Sequence, residues 1–150
     1  MRAVIQRVSQ ADITINDSTR KTIGEGLVIL VGIEEEDSME DVGWLCGKIS
    51  RLRIFNDRNG VMNLSVKEIG GEVMIVSQFT LHASTRKGNR PSYIRAAPSE
   101  TAIPLYDAMI IQLGNELEQE IVTGEFGAYM EISLTNTGPV TILIDTKKKE

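Results

Sequence analysis

Polar residues follow an apolar segment near the middle of the chain, and their types could line a reactive pocket. The apolar residues 73–76 are followed by Ser77, Gln78 and Thr80. Because side chains alternate along a strand, a strand over 72–81 is predicted to place Gln78 and Thr80 on one face. Two polar groups that extend an apolar row can form the floor of a pocket, or they can mark where that face becomes exposed to solvent. The pattern by itself favours the exposed face.

Hydroxyl chemistry at this segment would need a base. Ser77 or Thr80 could act as a nucleophile only if a neighbouring group accepted its proton. His82 is the single histidine of the chain and lies two residues after Thr80. Neighbours on one strand face are about 7 Å apart, so a direct hydrogen bond between them is not assured. A lone histidine at a strand end is more often a surface residue, and a conventional hydrolase built on Thr80 and His82 is the weaker hypothesis.

The counts of metal-binding and thiol residues exclude several classes of chemistry. One histidine and one cysteine cannot form a Cys/His zinc site or a two-histidine iron site. Cys46 lies on the apolar stripe of a predicted helix, which indicates an inert buried thiol. No P-loop, HExxH, CxxC or EF-hand spacing occurs. We therefore expect neither a metal nor a cofactor.

A second unusual segment is the turn at residues 136–141, which contains Gly138 and Pro139. Glycine can adopt φ values that other residues avoid, and an X-Pro bond is the one bond type in which the cis form is accessible at low cost. The turn could hold peptide carbonyls in a rigid direction, or it could be an ordinary connector to an edge strand. Arg7, on a predicted strand, could brace another segment or could be a charge on an edge strand.

Charge is unevenly distributed along the chain. The net charge is −5, yet residues 84–95 contain four basic residues and no acid, which leaves −9 on the remainder. A uniformly acidic protein repels phosphate backbones, so general coating of nucleic acid is not expected. The segment 87–93 combines basic residues with glycine, proline and an aromatic residue, a composition that suits phosphate contact and base stacking. A solvated loop is an equally good interpretation of it.

The order of elements predicts the scaffold. Periodicity predicts strands at 1–8, 11–16, 26–33, 72–81, 128–134 and 139–145, a helix that begins after Ser38, and a second helix over 101–122. This order favours an α+β fold with a mainly antiparallel, barrel-like sheet and two main helices packed outside it. We expect one domain over 1–146 and a short, frayed, charged tail over 147–150. No apolar run is long enough to cross a bilayer and no signal peptide is evident, so a cytoplasmic protein is expected.

Several motifs together resemble the D-aminoacyl-tRNA deacylase family. They are Ser77–Leu81 (SQFTL) and Asn136–Thr141 (NTGPVT), accompanied in the same order by residues 1–8, 88–92 and 127–130. The resemblance covers nearly the whole chain. Tyr93 stands where the family more usually has Phe, and Thr137 fills a position that is often Asp.

The resemblance implies a fold, a reaction and a means of selection. It implies a homodimer with active sites at the subunit interface, and a cis Gly138–Pro139 bond that reaches into the partner's pocket while Arg7 holds it in place. The reaction would be hydrolysis of the ester between a D-amino acid and the 3′-terminal adenosine of tRNA, without a metal or cofactor. L-aminoacyl-tRNA would be rejected and mischarged glycyl-tRNA accepted, so the enzyme would proofread translation.

The resemblance also assigns residues to roles. The catalytic pocket is assigned to Ser77, Gln78, Phe79 and Thr80. Because an aminoacyl ester is activated, backbone N–H groups around Phe79 and Thr80 could serve as an oxyanion hole, with Thr80 as a positioning residue rather than a nucleophile. Substrate binding and chiral selection are assigned to Arg7, Met130, Asn136, Gly138 and Pro139. Contact with tRNA is expected instead from the charge of the basic segment, at Arg86, Lys87 and Arg90. The remaining alternative is a noncatalytic RNA-binding protein that uses residues 84–95, although such a protein would not require the Gly138–Pro139 turn.

Overall fold

Eight strands and two α-helices make up the part of the chain, residues 1–149, that the computed structural model describes. In chain order they are β1 Arg2–Ile15, β2 Thr19–Ile23, β3 Gly26–Gly32, α1 Met39–Ser50, β4 Phe55–Asn56, β5 Met62–Leu64, β6 Glu72–Ser77, α2 Ser99–Leu117, β7 Val122–Thr123 and β8 Met130–Asp145. A short 3₁₀ helix, the 3₁₀ turn Phe79–His82, lies between β6 and α2.

The main sheet is mixed, so the prediction of a mainly antiparallel sheet is wrong. Its strand order is β2-β1-β3-β6-β7, and β8 pairs with β1. The pairs β3–β6 and β6–β7 are parallel, whereas β1 pairs antiparallel with β2, β3 and β8. Parallel neighbours require crossover connections, which α1 and α2 provide here. The sheet is nearly closed and barrel-like, and the two predicted helices are both present.

The central strands are buried on both faces, as the continuous apolar run at 26–33 predicts. Leu27, Ile29 and Val31 belong to the core that packs against the two helices. Val28 and Met74 belong to a second core on the opposite face of the sheet. Because the period of a strand is two, β3 and β6 contribute to both cores and form the rigid centre of the fold.

Two long strands replace four predicted short ones. β1 is continuous, although the sequence predicted a break at Ser9–Gln10. At this place the strand does not end, and only its pairing register with β8 becomes irregular, between Gln6 and Gln10. β8 is likewise continuous and contains the Gly138–Pro139 segment within the strand rather than in a connector. Bulges let a strand bend without ending, which is why turn residues mislead at these two places.

The helices begin close to their predicted starts. Ser38 is the N-cap of α1 and forms a capping box with Asp41, so this start is confirmed. The second helix runs from Ser99 and ends at Leu117 rather than at 122, because Glu118 adopts a left-handed conformation with φ 57°. The N–H of Glu118 donates to the carbonyl of Gly114. This hydrogen bond caps the C-terminus of the helix.

The end of the described chain is held against α1, whereas the sequence predicted a frayed tail. Lys147 donates from Nζ to both carboxylate oxygens of Asp41 and to the carbonyl of Glu36. Lys149 places Nζ 4.9 Å from the centre of the Trp44 ring. Within residues 1–149, no helix is long and apolar enough to cross a membrane.

Candidate active site

The segment assigned to catalysis is not a continuous strand. β6 ends at Ser77, and the chain turns at Gln78 into the 3₁₀ turn, so the predicted strand is too long by four residues. The N–H of Gln78 donates to the carbonyl of Val31 at 2.7 Å. Arg2 donates from Nη1 to the carbonyl of Leu81 at 3.0 Å. The 3₁₀ turn is therefore fixed to β3 at one end and to β1 near the other.

Within this turn, the structure brings Gln78 and Thr80 together. The side-chain amide of Gln78 donates to Oγ1 of Thr80 at 2.5 Å. Because the Thr80 oxygen accepts this bond, its own proton is free to be donated to a bound molecule. The first N–H groups of a 3₁₀ helix have no partner inside it. Those of Phe79 and Thr80 donate to no other residue in the described part of the chain.

A cavity of about 490 Å³ lies at the end of β6. Ser77, Gln78, Phe79 and Met130 line it, together with Val76, Ala97, Pro98, Ser99, Phe126, Gly127, Ala128, Tyr129 and Ile132. Its volume suits a small ligand with an apolar or aromatic portion. A larger cavity of about 540 Å³ lies on the outside of β8 and α1, and none of the residues assigned to catalysis lines it.

The Gly138–Pro139 segment forms a separate cluster around Arg7. The bond between these two residues is cis, as the resemblance implies. Arg7 donates from Nε to the carbonyl of Thr137 at 3.1 Å and from Nη1 to the carbonyl of Ile54 at 2.6 Å. A Cβ atom at Gly138 would lie 2.7 Å from Arg7 Nη2, and φ there is 121°. Glycine is thus favoured by the backbone conformation, and any side chain here would also displace the Arg7 guanidinium.

Asn136 supports the same cluster from within β8. Its Oδ1 accepts the N–H of Val140 at 2.9 Å, and its Nδ2 donates to Oγ1 of Thr141 at 3.1 Å. These bonds span the segment that contains Gly138 and Pro139, both of which are exposed. The motif is therefore held rigidly while its outer surface stays open to solvent.

One chain does not bring the two clusters together. Met130 lines the cavity, whereas Gly138 is eight residues along the same strand, roughly 25 Å away at the usual rise of a strand. None of Arg7, Asn136, Gly138 and Pro139 is among the residues that line the cavity. The predicted site residues thus fall into two sets on one subunit.

The basic loop, residues 84–95, adjoins the first set. Its base is closed by paired backbone hydrogen bonds between Ser84 and Ser92. Tyr93 packs edge-on against Phe79, with ring centres 5.0 Å apart. The residues assigned to tRNA contact, Arg86, Lys87 and Arg90, are exposed, so the loop presents its positive charge beside the cavity.

His82 is buried, which corrects the expectation of a surface histidine. The residue is 1% exposed, and neither ring nitrogen has a hydrogen-bond partner in the described part of the chain. The carboxylate of Glu34 is 3.9 Å away, measured from Nδ1 to Oε2. Thr80 instead pairs with Gln78. The arrangement does not form a Thr80–His82 dyad.

Cys46 behaves as the sequence predicted. It is fully buried in α1. Burial, with a smaller contribution from Glu116, raises the pKa of its thiol to about 12, so the reactive thiolate is suppressed.

Sequence reasoning missed several residues around the site. Phe126 and Tyr129 line the cavity, and Glu34 contacts both His82 and Arg95. The position of the first two, inside or next to the motif at 127–130, was a signal in the sequence, whereas Glu34 lies in an acidic run with no distinguishing feature. Among residues 1–149, no cluster of His, Cys, Asp and Glu has the arrangement of a metal site.

Comparison with known proteins identifies the family to which this chain belongs. The chain matches the family model for D-Tyr-tRNA(Tyr) deacylase over residues 4–145, and it therefore belongs to this family, which confirms the resemblance. The D-aminoacyl-tRNA deacylases of Phocaeicola vulgatus and Flavobacterium psychrophilum are each 59% identical to it over 150 residues, with 100% of both chains covered.

Solved structures agree on the fold. A c-Myc DNA unwinding element binding protein superposes with a TM-score of 0.89 and 38% identity, covering 97% of this chain and 98% of that one. A probable eukaryotic D-amino acid tRNA deacylase superposes with a TM-score of 0.82 over 95% of this chain and 97% of that one. The latter is 16% identical, so it supports the architecture alone.

Proposed function

We propose that this protein hydrolyses the ester of D-aminoacyl-tRNA to a free amino acid and tRNA, in the cytoplasm and without a metal. Membership of the deacylase family supports the proposal. The observation that supports it best is the 3₁₀ turn. Phe79 lines a cavity of about 490 Å³, and the N–H groups of Phe79 and of the next residue, Thr80, have no partner within residues 1–149.

The chemistry needs stabilisation of charge more than a strong nucleophile. An aminoacyl ester is activated, so water attacks its carbonyl once both are positioned. The N–H groups of Phe79 and Thr80 stabilise the negative charge that develops on the carbonyl oxygen. The ester C–O bond then breaks, and the 3′ oxygen of the adenosine leaves with a proton. The hydroxyl of Thr80, oriented by Gln78, positions the substrate, and the ribose 2′-hydroxyl assists.

Selection against L-aminoacyl-tRNA is proposed to come from the Gly138–Pro139 segment of a second subunit. Its exposure, its anchoring by Arg7 and its distance from the cavity of its own chain all support action on a partner. A rigid backbone wall occupies the space that an L side chain needs and leaves a D side chain free. Glycyl-tRNA has no side chain to exclude, so it is a further proposed substrate.

The basic loop is proposed to hold the end of the tRNA. Arg86, Lys87 and Arg90 would contact phosphates, which fixes position without reading sequence. The acidic remainder of the chain would repel RNA elsewhere. A noncatalytic nucleic-acid-binding protein is the second candidate, favoured by this loop and by the name of the 38% identical structure. The built cavity beside the loop favours catalysis over binding alone.

The first test measures release of tyrosine from D-Tyr-tRNA and L-Tyr-tRNA by chelator-treated protein. We expect rapid release from the D ester and none above background from the L ester. Binding of tRNA without release would support the second candidate. Equal release from both esters would contradict the proposed selection.

A further inference from the structure

We propose that Arg95, Glu34 and His82 form a positioning relay between the basic loop and the 3₁₀ turn. The proposal rests on the proposed deacylase function, because it assigns these residues a role in that reaction. None of the three lines the cavity. They act by setting the geometry of the turn that carries Phe79 and Thr80.

His82 is the buried anchor of the 3₁₀ turn. Its ring packs so closely on β3 that a Cβ atom at Gly32 would lie 3.0 Å from His82 Cδ2. The turn's other residues are partly or fully exposed. A buried imidazole with both nitrogens unpaired is unfavourable. Oε2 of Glu34 lies 3.9 Å from Nδ1, so a small shift of either side chain makes a hydrogen bond.

Glu34 lies between the histidine and the basic loop. Its carboxylate is 12% exposed, and its Oε2 accepts from Arg95 Nη2 at 3.2 Å. The same oxygen faces His82 Nδ1. The Arg95 guanidinium and the His82 imidazole therefore face the same oxygen of Glu34. The position of Arg95 decides how strongly the negative charge of that oxygen acts on His82.

The backbone makes this arrangement rigid on the loop side. Glu34 pairs with Ala96 in an isolated antiparallel bridge, and the N–H of Ala97 donates to the carbonyl of Ile33 at 2.9 Å. Arg95 is therefore tied next to Glu34 while its guanidinium stays half exposed. When the basic loop binds an RNA phosphate, the phosphate attracts the Arg95 guanidinium away from Glu34. The Glu34 carboxylate then interacts more strongly with His82, and this shifts the 3₁₀ turn.

The test is a double-mutant cycle on the single-turnover rate of D-Tyr-tRNA hydrolysis at saturating enzyme. Glu34→Gln keeps the shape and removes the charge, and His82→Phe keeps an aromatic ring, although a larger one, and removes both nitrogens. We expect each to lower the rate roughly tenfold, and the double variant to be no slower than either. Glu35→Gln, an exposed neighbouring acid, is the matched control and should leave the rate unchanged.

Other outcomes separate the alternatives. Additive losses, or a lowered unfolding temperature with an unchanged rate, would overturn the relay and leave a structural role. Loss of about 10⁴-fold in His82→Phe alone would instead indicate a base. If that variant does not fold, Glu34→Gln and Arg95→Ala form the same cycle. A wild-type protein that releases no D-tyrosine refutes the proposed function, whereas active wild type with unaffected variants refutes the relay only.

Discussion

The backbone N–H of Phe79 offers a direct test of the proposed oxyanion hole. Phe79→Pro removes that N–H, which makes no hydrogen bond within residues 1–149. Proline suits the first position of a helical turn, and Gln78 before it has φ −141° and ψ 81°, outside the α region that proline disfavours. We expect single-turnover hydrolysis of D-Tyr-tRNA at saturating enzyme to be about 100-fold slower than in Phe79→Ala, which lacks the same ring but keeps the N–H.

The control for this change is Phe79→Ala. It keeps the N–H but removes the ring that packs on Tyr93, so it should weaken substrate binding more than the chemical step. Equal rates in Phe79→Pro and Phe79→Ala would show that this N–H does not stabilise the transition state.

At this scale, the sequence revealed residues with unusual chemistry but not their contacts. Gln78 and Thr80 were predicted to share a face, and they are hydrogen-bonded, although through a turn rather than a strand. Glu34 could not be found, because its role depends on a bridge to Ala96, which is distant in sequence. Patterns report local periodicity, whereas such contacts depend on the fold.

At the scale of elements, the start of α1 is joined to the end of the chain through Asp41. Burial alone would raise the pKa of Asp41. Hydrogen bonds from Thr146, Lys147 and the Ser38 backbone outweigh burial and hold this pKa below its usual range. A carboxyl with a lowered folded-state pKa contributes stability above its unfolded value of about 4, and that contribution is lost as the pH falls further. Asp41→Asn should lower the unfolding free energy by about 1–2 kcal/mol at pH 7.

Urea unfolding at several pH values checks this prediction. The deficit of Asp41→Asn relative to wild type should shrink steadily as the pH falls below about 4. Glu40→Gln, an exposed acid in the same helical turn, is the control and should show only a small, screened effect. A deficit that does not change with pH would contradict the role given to the charge.

Elements were predicted well where burial determines them and poorly where two strands meet. The apolar run at 26–33 and the cap at Ser38 needed only local information. The length of β1 and β8 did not, because each is sustained by pairing with the other across an irregular register. The parallel pairing of β3 with β6 could not be predicted either. It depends on the path of the chain between the two strands, which local sequence patterns do not determine.

At the scale of the whole molecule, several features favour assembly of two copies. β8 pairs only with β1 among the described residues, so the other edge of this 16-residue strand has no partner. Leu143 on β8 is 68% exposed beside its cross-strand neighbour Val4, which in turn pairs with Leu30. Edge strands and exposed apolar rows favour association. Gly138 lies on the same strand, so association through β8 would bring it to a partner.

A mixed dimer tests whether this segment acts on the partner. One subunit carries Phe79→Pro, which impairs its own 3₁₀ turn, and the other carries Arg7→Ala, which releases Thr137 and Ile54 and loosens its Gly138 segment. The Arg7→Ala homodimer should hydrolyse L-Tyr-tRNA as well as D-Tyr-tRNA. In the mixed dimer, purified through two different tags, the intact turn meets the intact segment of its partner, so D-Tyr-tRNA should be hydrolysed while L-Tyr-tRNA is again spared. Continued hydrolysis of the L ester would show that the segment acts within its own chain, and a monomer in sedimentation would contradict the assembly itself.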